Sequence, residues 1–160
     1  YEIASSDWSS DVCSSDLVGD TYILGNASFT VVCPDRYDYE EENNRSLGIR
    51  LTDSSHSFLI LGDAQSKSES AMLNENLDLS ADVYMVSHHG SASSSTEKFL
   101  RAVHPAFAVI SVGADNDYGH PAQKTLSRLE AQDIQILRTD LSGTITAYST
   151  PDTLTWSTGR

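Results

Sequence analysis

Positive charge is scarce in this chain. Ten Lys and Arg stand against 23 Asp and Glu in 160 residues, a formal net charge of −13. That balance excludes a nucleic-acid binder that relies on a basic face of its own, because Lys and Arg make most phosphate contacts. Chemistry on a phosphate would need bound cations to reverse the local sign. No apolar run approaches the roughly 20 residues that span a bilayer, and no basic stretch leads into an apolar one to give a secretory signal pattern. Cysteine is limited to Cys13 and Cys33, neither in a Cys-x-x-Cys pair. A disulfide framework is therefore excluded and the redox compartment stays open. What remains is 39% apolar and 21% charged, a globular composition long enough for one domain with a core, or for part of a larger one.

Residues 1–17 differ from the rest. Ser-Ser-Asp recurs three times there, with no apolar period of 2 or 3.6. A disordered Ser/Asp linker is the plain reading. Residues 7–17 also resemble the translation of a sequencing adapter fused in frame. On that reading Trp8 and Cys13 have no evolved role, and the natural sequence begins near Val18 with its upstream part lost. Glu2, Asp7, Asp11 and Asp16 lie in this leader, and without them the chain is still strongly acidic.

From Val18 the pattern becomes regular. Short β-rich runs over 21–24 and 28–32 flank Gly25-Asn26, a hairpin signal. Residues 35–44 read as an acidic loop. Runs over 47–51 and 58–61 predict a second hairpin across a turn at 53–56. A helix is expected over 66–77, capped by Ser66 or Ser68, and a strand over 83–86. Ser95-Thr96-Glu97 predicts the start of a helix reaching about 103. A buried strand over 107–111, an amphipathic helix over 122–132, a strand over 134–137 and β runs over 144–148 and 153–156 complete the chain. Strands alternating with helices imply a layered α/β domain over 18–160, with no internal repeat.

Three of the apolar runs end in polar residues. Phe58-Leu-Ile-Leu-Gly-Asp63 ends in a carboxylate. Val83-Tyr-Met-Val-Ser-His-His-Gly-Ser91 ends in two imidazoles, a glycine and a hydroxyl. Tyr118-Gly-His120-Pro121 follows the third. Asp63 alone is better explained as a cap of the following helix or turn, and His120 alone is either a loop histidine or a ligand. In an extended backbone His88 and His89 would point to opposite sides, one to a metal and one to substrate or a carboxylate. Imidazole and carboxylate are donors that zinc and manganese accept. His56, in a turn, and His104, at a helix end, read as structural or surface residues.

These segments, together with Ala108-Val-Ile-Ser111, Gly19-Asp-Thr-Tyr-Ile-Leu-Gly25, Glu42-Asn-Asn-Arg-Ser-Leu47, Leu129 and Gly143-Thr-Ile-Thr146, resemble the second half of the metallo-β-lactamase-like domain of ComEC-type DNA-uptake proteins. The likeness runs from Val18 to about Tyr148. It implies part of an αββα sandwich, its C-terminal half, with a mixed sheet flanked by helices. It also implies a site for two divalent ions, zinc or manganese, and phosphodiester hydrolysis, as nuclease action on DNA in connection with uptake. Under it Asp63 is the bridging carboxylate and His88 a metal ligand. His89 and His120 are catalytic, and Ser91 and Asn44 contact substrate. A membrane channel domain in the same full-length protein is implied as a partner, which places the domain outside the cytoplasm; a secreted enzyme is the alternative.

One departure is large. The superfamily's His-x-His-x-Asp-His motif is absent from these residues. The expectation is therefore a fragment with little or no activity, missing the N-terminal half of its domain. It would have one sheet face uncovered and a tendency to self-associate. The competing reading is a non-catalytic binding or scaffold module of the same fold. A serine hydrolase using Ser91, His89 and Asp63 is weaker, since no Gly-x-Ser-x-Gly elbow is present and His89 and Ser91 lie too close in sequence to relay a proton.

Overall fold

The computed structural model describes residues 17–53 and 55–159. The leader, with Trp8, Cys13 and the adapter-like stretch up to residue 16, lies outside the described residues.

The chain opens as an antiparallel meander. Strands β1 (Thr21–Leu24) and β2 (Ala27–Cys33) pair about Gly25-Asn26, with Gly25 in the left-handed region that the turn requires. Strands β3 (Gly48–Asp53) and β4 (His56–Ile60) follow, and Asp53 already pairs with His56, so this hairpin is longer than the sequence predicts. The expected acidic loop holds one short 3-10 turn, Glu42–Arg45.

The connections then become crossovers. Helix α1 (Ser66–Met72) leads to β5 (Val83–Met85), α2 (Glu97–Val103) to β6 (Phe107–Ile110), and α3 (Gln123–Glu130) to β7 (Gln135–Arg138). Strands β4 to β7 run parallel, and all seven strands stand in chain order. Helix α1 stops short of the expected 77 because Asn74 and Asn76 are poor helix formers. A helical turn, α4 (Thr139–Ser142), precedes a separate two-stranded sheet, β8 (Ile145–Ser149) with β9 (Leu154–Thr158).

Chain-order parallel strands joined by crossovers of one hand put every helix on one face of the sheet. The packing agrees. Leu59, Tyr84, Ala108 and Ile110 form one buried layer with Met72 of α1, Phe99, Leu100 and Val103 of α2, and Leu129 of α3. Each large apolar side chain so buried contributes about 1.5–3 kcal/mol. The opposite face presents Phe58, Ile60, Met85, Phe107 and Val109, the alternate residues of the same strands. The β8–β9 sheet covers part of it, Trp156 lying 5.1 Å from Phe107. Ile60 and Met85 remain 37% exposed.

Two buried polar side chains join helix starts to distant segments. The Asn44 carboxamide oxygen accepts from the Gln65 and Ser68 N–H groups at 3.2 and 3.1 Å, capping α1 from outside its own sequence. This replaces the expected Ser66 or Ser68 cap. The Glu69 carboxylate accepts from the Ser95 N–H and, at 2.9 Å, from the Thr96 N–H, just ahead of α2.

Candidate functional site

Asn43, Asp63, His88, His89, Tyr118 and His120 line one cleft of about 240 Å³. The cleft lies at the carboxyl ends of β4, β5 and β6, where open α/β sheets place their ligands. Asp63 arrives there through Gly62, whose φ of +55° turns the chain off β4. The Gly62 carbonyl accepts the His88 N–H at 3.0 Å, which ties the end of β4 to the end of β5.

The two histidines are not extended, in contrast to the expectation. His88 and His89 both have φ near +52°, and Gly90 follows at +82°. The Ser91 N–H closes this left-handed turn on the His88 carbonyl at 2.9 Å. Instead of pointing to opposite sides, both imidazoles line the same cleft. A non-glycine residue in this region costs about 1–3 kcal/mol, and such strain concentrates at functional sites.

His89 is oriented firmly. Its Nδ1 lies 2.7 Å from the Ser111 carbonyl, so Nδ1 carries the proton and donates. Its Nε2 then faces Asp63 Oδ1 at 3.7 Å, an arrangement that a proton or a cation between them would stabilise. His88 is held only by long contacts. Asn43 Nδ2 lies 3.4 Å from Nε2, while Gln65 Nε2 and Ser93 Oγ lie 3.4 and 3.5 Å from Nδ1. The His120 ring stands edge-on to His88, centroids 5.7 Å apart. Its Nδ1 is buried without a hydrogen-bond partner among the described residues. Burial, then the neighbouring His88 and His89, push its pKa below the usual histidine value, against a smaller upward pull from Asp63. A neutral His120 can accept a proton.

Asp63, His88, His89 and His120 are thus brought together. Ser91 and Asn44 are not among the cleft-lining residues. Ser91 is buried, with its Oγ 3.0 Å from Ser93 Oγ, and Asn44 is enclosed at the start of α1. Sequence reading passed over Asn43, Gln65 and Tyr118. Each sits beside a residue that was singled out, so polar or aromatic neighbours of a candidate ligand were the available signal. His56 donates to or accepts from Ser149 Oγ at 2.9 Å, and His104 takes the left-handed position that ends α2.

The donor types suit zinc or manganese, but their number does not suit two ions. Although four such side chains line the cleft, among the described residues no three His, Cys, Asp or Glu side chains stand close enough together to hold one metal ion. A wider hollow of about 490 Å³, between Met85, Val109 and Ile145, offers only Asp140 as a carboxylate, and Asp140 pairs with Arg138 at 2.6 Å.

The structure defines a mixed α/β domain with a polar histidine-rich cleft at its parallel-strand rim. No protein-family model matches the chain. The chain is 37% identical over 127 residues to ComE operon protein 3 of Bacillus subtilis, covering 79% of this chain and 16% of that protein. It is 37% identical over 106 residues to Competence protein ComA of Neisseria gonorrhoeae, covering 66% and 15%, and 31% identical over 117 residues to Recombination protein 2 of Haemophilus influenzae, covering 73% and 15%. These competence and recombination proteins are homologues, and the chain spans about a sixth of their length.

Proposed function

We propose that this chain is part of a metal-dependent phosphodiesterase, a nuclease acting on DNA during uptake, and that its cleft supplies some of the groups of a site completed by other residues of the longer protein. The observation that carries this reading is the convergence of Asp63, His88, His89 and His120 on one rim, two of them on strained backbone. The names of the homologues support the connection to competence. The one-sided layer of helices is what half of an αββα sandwich of the metallo-β-lactamase kind would present. The acidic charge is consistent with cations meeting the phosphate. This chain's donors do not by themselves fit two ions. His89, anchored on Ser111, and neutral His120 are the groups suited to orient a phosphodiester and to take up a proton.

That no three of these donors, among the described residues, stand close enough to share one ion favours a second reading, a scaffold module that binds without catalysis. The test compares the full-length protein with its Asp63→Ala variant on a labelled single-stranded oligonucleotide, with manganese or zinc added. Cleavage by the full-length protein that falls at least about 100-fold in the variant is expected. The 160-residue chain alone is expected not to cleave. A full-length protein that binds the oligonucleotide but cleaves it with neither metal overturns the enzyme in favour of the scaffold.

A further inference from the structure

We propose that Tyr118 and His120 form a stacking platform for a nucleobase next to the phosphodiester, an inference that rests on the function proposed above. Beside the cleft lies a second hollow of about 200 Å³, lined by His89, Val112, Gly113, Asn116, Tyr118 and His120. His89, Tyr118 and His120 border both spaces, so the two lie side by side. Their chemistry differs. The first holds the carboxylate and imidazoles, whereas the second offers Val112, an open glycine and ring faces. A Cβ added at Gly113 would meet nothing, so that side of the hollow is clear.

Tyr118 is 83% exposed, more than any other large apolar side chain among the described residues. Its ring nevertheless lies nearly parallel to His120, at 21° with centroids 5.9 Å apart. A flat ligand on the free face of Tyr118 would extend that stack and cover an aromatic otherwise left to water. The platform is held from behind. Asn116 donates both amide hydrogens, to the Gly113 carbonyl at 2.9 Å and the His120 carbonyl at 2.8 Å, and accepts the His120 N–H at 2.9 Å. With those donors committed, Asn116 has none left to read the edge of a base. Recognition would therefore use the π-face, which every base has, and would be indifferent to sequence. A ligand joining an anionic diester to a flat ring fits both spaces, while a bare sugar phosphate fills only the first.

The experiment measures binding of the full-length protein, with manganese, to a 5′-labelled thymidine 12-mer with cleavage-resistant phosphorothioate linkages and to a 12-mer of the same backbone lacking bases. The base-bearing strand should bind more tightly. Tyr118→Ala should weaken it about tenfold and leave the abasic strand unchanged, whereas Tyr118→Phe and Tyr118→Trp should retain affinity. An adenosine 12-mer should show the same ratio. Equal affinity of the two strands for the wild type, or an equal loss on both in Tyr118→Ala, overturns the platform and leaves the phosphodiester reading standing. Binding of neither strand overturns both.

Discussion

Gly90 and Pro121 are in such close contact that a Cβ on the glycine would lie 2.7 Å from the proline Cβ and 3.2 Å from its Cα. The Ala122 N–H also donates to the Gly90 carbonyl at 2.9 Å. Through this contact the segment carrying His120 is seated against the segment carrying His88 and His89, though about 30 residues separate them in sequence.

Gly90→Ala should therefore both unfold and misplace. The added methyl meets backbone, and φ at +82° strains any L side chain. A loss of about 2–4 kcal/mol in urea unfolding is expected. An unchanged midpoint would show that the two loops are not in contact.

Asn44→Ala should behave as a folding variant. It strands the part-buried Gln65 and the buried Ser68 N–H groups, at a cost of about 1–3 kcal/mol. Asn44→Asp keeps an acceptor there and should lose less. Thermal melts of the two variants order them. Weakened oligonucleotide binding by Asn44→Ala with an unchanged melt would restore the substrate role expected from sequence.

Glu69 gives the fold a pH dependence of defined sign. Burial raises its pKa above the ordinary 4.5, while Thr96, the Ser95 N–H and Arg128 pull it down by less. The folded chain thus holds a proton that the unfolded chain releases near pH 4.5. The stabilisation is complete below that value and is lost as pH rises through the folded pKa. Urea melts between about pH 4.5 and 7 should show stability declining more steeply in the wild type than in Glu69→Gln. Equal slopes would remove Glu69 as the source. Asp78 and Asp140, whose pKa values are lowered, act in the opposite sense and at lower pH.

The face opposite the helices should drive association. Met85→Lys, and separately Ile60→Lys, place a charge at half-covered apolar positions. Sedimentation velocity should show self-association of the wild type that each variant reduces, with stability changed by no more than about 1 kcal/mol. A wild type that stays monomeric at every concentration would contradict the open face.

Much of this molecule was legible in one dimension. Apolar runs such as Phe58-Leu-Ile-Leu61 and Phe107-Ala-Val-Ile110 announce strands of a parallel sheet, whose residues need no polar alternate, although Ile60 on the face opposite the helices stays 37% exposed. Gly62-Asp63, His88-His89 and His120 stood out because polar groups that stop such runs collect at one sheet edge once the strands are parallel. Several features were decided only by tertiary structure. The left-handed turn at His88 and His89 breaks their own backbone preference, so no local signal marks it. Asn44 became a helix cap, and not a cleft residue, because α1 begins 22 residues further on and packs against it. Tyr118 joined the site because the Gly90–Pro121 contact carries its loop there. The chain's local chemistry selected the strands and the candidate donors. Long-range packing, which residue types alone do not encode, determined which of them share a cleft.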